Sequence, residues 1–268
     1  MSLHDDYARV TPFEIVFRTD EEVEALARAV AEEAAGRGVD PTDLGGFLTL
    51  GSVEAFVRNT AEADPDPTLL HRYGPLVYHS VRFGEGGREL YLLTSHAARY
   101  LVEGSPGGEP GAPSNAGYLQ LPQHLFWTRA AADAPESIDG VFWSVTPGGY
   151  VHFLLITGLR PDRPGVGVVP LPEAPVADAP RWVDLEAREA GPDFSTDLPG
   201  ADIDGLYEIR SAGEAFKLMA RFFAYVGGVP AAVERRGGAT EPDGDSSSAL
   251  AAPAPSRLDF ARVTLGAP

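Results

Sequence analysis

The chain has 268 residues, a net charge of −18 from 39 acidic and 21 basic side chains, and no cysteine. The missing thiols exclude disulfides, thiolate metal sites and cysteine nucleophiles. The acidic excess argues against duplex nucleic acid, which needs a basic footprint, and against docking on anionic lipid.

From the N-terminus, Met1 to Val10 carries Asp5 and Asp6 without a hydrophobic stretch. No apolar run approaches the roughly 20 residues that span a bilayer. The expectation is a soluble cytoplasmic protein. The N-terminal part, residues 1–74, reads helical. Val23, Leu26, Ala27, Val30, Ala31 and Ala34 recur at helical spacing, with Thr19 or Asp20 as cap and Gly36 and Gly38 as the stop. A second helix is expected from Ser52 to Glu62, stopped by Asp64-Pro65-Asp66-Pro67.

Residues 75–171 read as a mainly antiparallel sheet built from hairpins. Leu76–Phe83 and Arg88–Thr94 flank Gly84-Glu85-Gly86-Gly87, which predicts a hairpin with Arg82 facing Glu89. Ser95 can cap a short helix to Glu103, and 104–117 has loop composition. Strands Val141–Val145 and Tyr150–Ile156 are joined by Thr146-Pro147-Gly148-Gly149. Both their faces are apolar, which places them in the centre of a covered sheet. A four-residue loop pairs Val145 with Tyr150, Trp143 with His152 and Phe142 with Phe153. A further strand is expected over Val166–Leu171.

Residues 172–235 mix elements. Arg181–Glu189 is expected as a strand or short helix, and 191–205 as an acidic loop. Ser211 with Glu214 makes a capping box for a packing helix over 211–226, with Phe216, Met219, Phe222, Phe223 and Val226 as its stripe. Residues 236–256 read as a disordered tether after a single domain of 1–235, and 257–268 as a terminal strand or tail. The fold class expected is α+β.

No phosphate loop, dinucleotide fingerprint, nucleophile elbow or metalloprotease motif occurs. Five of the six histidines lie between residues 71 and 152, without H-x-H or H-x-x-x-H spacing. No metal and no cofactor is expected on that ground. The residues that gather around the second hairpin are His124, Trp127, Trp143 and His152, with Arg160 and Arg163 on the following turn as anion contacts. The competing reading is an aromatic core with hydrogen-bonded histidines. The missing nucleophile and cofactor motifs point to a non-catalytic binding or assembly protein, with a protein partner or a second copy as its ligand. The alternative is a small-molecule enzyme or sensor in which His124 or His152 is the general base.

Overall fold

The computed structural model describes residues 6–60, 68–104, 106–129, 135–158, 166–185, 207–239 and 254–265. The turn arginines Arg160 and Arg163, the acidic loop and most of the 236–256 segment lie outside them.

The helical start follows from its caps. Helix α1 (Pro12–Val16) opens on a capping box between Thr11 and Glu14. Helix α2 (Asp20–Arg37) is capped by Thr19 and stopped by Gly38, whose φ of 65° is the left-handed conformation a glycine tolerates. Its Val23, Leu26, Val30 and Ala34 are buried. Helix α3 (Leu44–Phe47) is a single turn capped by Asp43. Helix α4 (Gly51–Thr60) is capped from outside. The Glu33 carboxylate on α2 accepts from the Gly51 and Ser52 amides at 2.8 and 2.9 Å. The backbone donors of Ser52 and Gly51 hold that carboxyl down at about 2.

The expected strand over Leu76–Phe83 is instead part of helix α5 (Leu69–Glu85), so the first hairpin does not form. The reason is burial on almost every side. α5 packs against α1, α2 and α4 on one flank and against the sheet on the other. Every residue from Gly74 to Val81 is buried, so this stretch shows no exposed polar face, and His71, Arg72 and Glu85 are exposed only towards the helix ends. Pro75 sits inside it and donates no backbone bond. Arg82 reaches Glu85 rather than Glu89, and Glu89 pairs with Arg235 at 2.8 Å.

Strand β1 (Leu90–Leu93) leads into helix α6 (Ser95–Glu103), which is capped by Thr94 rather than Ser95. Then come β2 (Ala116–Gln120), β3 (Phe126–Thr128), β4 (Glu136–Val145), β5 (Tyr150–Thr157), β6 (Gly167–Pro170) and β7 (Ala174–Pro175). Helix α7 (Ala179–Trp182), β8 (Tyr207–Glu208), helix α8 (Ala212–Gly228), β9 (Val233–Arg236) and β10 (Phe260–Val263) complete the chain. α8 opens on Ser211, whose hydroxyl accepts from the Glu214 amide, as the capping pattern predicts.

The fold is α+β, but its sheet is mixed, with parallel pairs among the antiparallel ones, and is not built mainly from antiparallel hairpins. The strand order is β6-β5-β4-β2-β1-β10-β9. β1 runs parallel to both β2 and β10, and β3 runs parallel to β8. The terminal strand β10 therefore lies inside the sheet, between β1 and β9.

The β4–β5 hairpin forms where the sequence places it, one residue out of the expected register. Thr146 pairs with Tyr150 through a 2.8 Å bond, Gly149 closes the turn onto Thr146 at 3.0 Å, and Gly149 has φ 77°. A type I turn plus a left-handed glycine makes a three-residue loop, and this odd count moves the pairing by one. Trp143 faces Phe153, Ser144 faces His152, and Phe142 faces Leu154. Because side chains alternate with period two, this slip puts Trp143 and His152 on opposite faces.

Each face is covered. Tyr91, Leu119, Val141, Trp143, Phe153 and Leu155 pack with α8 and its neighbours in one core. Leu90, Leu92, Tyr118, Phe142, Leu154 and Ile156 pack with α1, α2, α4 and α5 in the other.

Candidate functional site

The structure separates the residues that the sequence grouped. His124 is exposed, at φ 61°, in the turn between β2 and β3. Its carbonyl accepts from Trp127 Nε1 at 2.9 Å, and the two rings lie 6.1 Å apart. These two residues do sit together. Trp127 pairs with Ser137 at the start of β4. Trp143 is six residues further along that strand, about 20 Å away at 3.3–3.4 Å per residue. Trp143 is fully buried against Tyr91, Phe222 and Phe223, with Nε1 donating to the Ser114 carbonyl at 3.0 Å. It is a core residue of the α8 face. A pocket shared by Trp143 and His152 does not exist.

His152 instead joins a polar cluster on the α5 face. Its ring lies 5.8 Å from that of Tyr78, and Tyr78 packs edge-on against His79 at 5.1 Å. His79 Nδ1 and Ser144 Oγ are hydrogen-bonded at 3.0 Å. His79 thus fits the reading of a satisfied core histidine, though on a helix rather than a strand. Complete burial holds its imidazole well below the ordinary value, helped by the nearby His152 and Arg82. His79 and Ser144 are both inaccessible to solvent, so this pair offers no substrate a nucleophile and base.

His152 differs from His79 in one respect. It is 5% exposed, yet its buried Nε2 has no hydrogen-bond partner among the described residues. Buried polar atoms are almost always paired, because leaving one unpaired costs about 1–3 kcal/mol. Among the described residues the nearest carboxylate is that of Glu173, with Oε2 3.8 Å away. Asp43 closes the group: ligand-type atoms of Asp43, His152 and Glu173 all lie within 4.8 Å of one another. Burial lowers the His152 pKa, while Glu173 and Asp43 pull it back up.

The local chain explains how Asp43 arrives there. The Asp40 carboxylate accepts from both the amide and the hydroxyl of Thr42, at 2.8 and 2.7 Å, which sets a tight turn after α2. Tyr78 Oη donates to the Thr42 carbonyl at 2.5 Å and ties that turn to α5. Asp43 Oδ2 accepts from the Gly46 amide at 2.7 Å as the cap of α3, so its carboxylate is held in place. Glu173, between β6 and β7, has a side chain 56% exposed and is free to adjust. Sequence reasoning found His152 and missed the other two. Asp43 carried only a capping signal, and Glu173 carried none.

Fold and site together define an α+β protein with a mixed sheet covered on both faces and a histidine–carboxylate cluster at the margin of one of them. No protein-family model, curated protein or solved structure matches the chain. No helix among the described residues is long and apolar enough to cross a membrane.

Proposed function

We propose that this is a non-catalytic binding or assembly protein, whose partner is another protein or a second copy of the chain. The observation that carries the reading is a pair of exposed apolar side chains, Tyr100 on α6 and Leu265 just past β10, on either side of Tyr225 of α8. Tyr100 and Leu265 are 39% and 47% exposed. Tyr225 links them: its ring lies 5.6 Å from that of Tyr100, and its hydroxyl donates to the Thr264 carbonyl at 2.8 Å. Exposed aromatic and aliphatic groups are the material of a contact surface. Two buried polar side chains, by contrast, serve the chain itself. Arg221 donates to the carbonyls of Leu101, Val102 and Val183, and Gln120 exchanges bonds with the Arg9 backbone.

The test is light scattering across a concentration series, together with capture from host extract, for the wild type and for Tyr100→Glu/Leu265→Glu. Self-association or a specific partner, lost in the double variant, is the expected result. A wild-type monomer that captures the same proteins as the variant would overturn the reading.

A further inference from the structure

The geometry points to a binding site for one borderline divalent cation of the zinc class, held by His152 Nε2 and the carboxylates of Asp43 and Glu173. The site is independent of the contact surface around Tyr100.

Two observations carry it. The first is the convergence itself. Residues 43, 152 and 173 come from a helix cap, a strand and a turn, and their ligand atoms fall within 4.8 Å of one another. Three protein ligands plus water is a common arrangement for zinc. With bonds of roughly 2.0–2.1 Å, tetrahedral ligand atoms stand about 3.3 Å apart. The 3.8 Å between His152 Nε2 and Glu173 Oε2 closes by a small inward movement of the exposed Glu173 side chain, and the remaining spacings, none above 4.8 Å, by side-chain adjustment of Asp43 and His152. The second observation is the buried Nε2 of His152, which lacks any hydrogen-bond partner among the described residues and stands 3.8 Å from the Glu173 carboxylate. A cation supplies the missing partner and neutralises the two carboxylates beside it. Burial also favours the neutral imidazole, which is the form that ligates.

The donor set decides the class of ion. Magnesium and calcium take oxygen ligands, so a buried imidazole contributes little to either. One nitrogen and two carboxylates suit zinc and its first-row neighbours. Sequence spacing argued against a metal because no two histidines stand at ligand spacing. That argument does not reach a site with a single histidine and two carboxylates brought together by the fold. The bound ion would join the α2–α3 turn to the sheet through β5 and to the β6–β7 turn. It would act as a clamp between the helical layer and the strands.

The experiment is titration of the tag-free, chelator-treated full chain with Zn²⁺ alone, followed by calorimetry and by the His152 imidazole resonances. Binding of one equivalent, with a shift of the His152 signals, is expected. Glu173→Gln leaves the core untouched, and Asp43→Asn keeps a competent helix cap. Both should weaken binding by at least about tenfold, since even indirect supports of a metal site are worth 10–100-fold. Absence of a stoichiometric site overturns the inference. So does zinc binding that both variants retain at wild-type affinity, or tighter binding of Mg²⁺ or Ca²⁺ than of Zn²⁺.

Discussion

Gly117→Ala tests the sheet register directly. Gly117 on β2 pairs with Trp143 on β4, and the indole lies over the glycine. A Cβ at 117 would fall 2.2 Å from Trp143 Cζ2, 2.3 Å from Cη2 and 2.8 Å from Cε2. Carbon atoms in contact sit about 3.5–4.0 Å apart, so the ring must retreat by more than about 1 Å. It has nowhere to go. Trp143 is fully buried, ringed by Tyr91, Phe222 and Phe223, and its Nε1 is bonded to Ser114. Overpacking of this kind costs about 1–3 kcal/mol. Losing the indole hydrogen bond adds about 1 kcal/mol. The stiffer unfolded chain returns about 0.4–1 kcal/mol. The expected net loss is about 1–4 kcal/mol, read as a lower urea midpoint at unchanged slope. In a Trp143→Leu background the ring is gone, and the same Gly117→Ala change should cost at least about 1 kcal/mol less, a coupling that neighbours in contact show. A loss under about 0.5 kcal/mol, or strict additivity in the double variant, would refute the placement of Trp143 over Gly117.

Three other outcomes follow from the packing. Phe222→Ala should lose about 3–5 kcal/mol in the same denaturation assay, because Phe222 is fully buried among Tyr91, Trp143 and Phe223. Arg221→Met should lose about 2–3 kcal/mol, since it leaves the carbonyls of Leu101, Val102 and Val183 without their donor; a neutral result would mean that water replaces the guanidinium. Truncation after residue 239 removes β10 from between β1 and β9 and should abolish cooperative unfolding, whereas a dispensable tail would leave the transition intact.

The parts of the fold that showed in the sequence are those fixed by neighbours in the chain. Thr19, Gly38 and Ser211 mark helix ends because a cap acts within four residues. The β4–β5 hairpin was visible from its turn residues, but its register hung on Gly149 adopting a positive φ, which four turn-forming residues in a row do not specify. α5 was read as a strand because its middle, Gly74 to Val81, is buried throughout and shows no exposed polar face there. The parallel pairing of β1 with β10 joins residues about 170 positions apart and leaves no local trace. The candidate site divides the same way. His152 stood out as a histidine in an apolar strand. Asp43 and Glu173 belong to turns more than 100 residues apart, and only the folded chain makes them neighbours.

The titration of the α5 face gives a further test, with a sign that burial fixes. The His79 imidazole is pushed well below its ordinary 6.5 by burial first, then by His152 and Arg82. At pH above 6.5 the residue is neutral in both folded and unfolded chains and contributes no pH dependence. Below 6.5 the unfolded chain takes up a proton that the folded chain refuses. Stability is therefore fully present above 6.5 and falls as the pH drops toward the folded value. The limiting slope is about 1.4 kcal/mol per pH unit for one histidine. His152, shifted in the same direction, adds to it. Urea midpoints between pH 8 and pH 5, measured in chelator so that no cation occupies the site, should be flat for these groups down to about 6.5 and then decline. In His79→Gln, which cannot titrate, the decline should become shallower by up to about 1.4 kcal/mol per unit, whatever the variant costs at neutral pH. Slopes rather than absolute stabilities are the comparison, because the amide disturbs the bond to Ser144 at every pH. An unchanged slope would mean that folded His79 takes up protons freely, which contradicts its position sealed between α5 and β4.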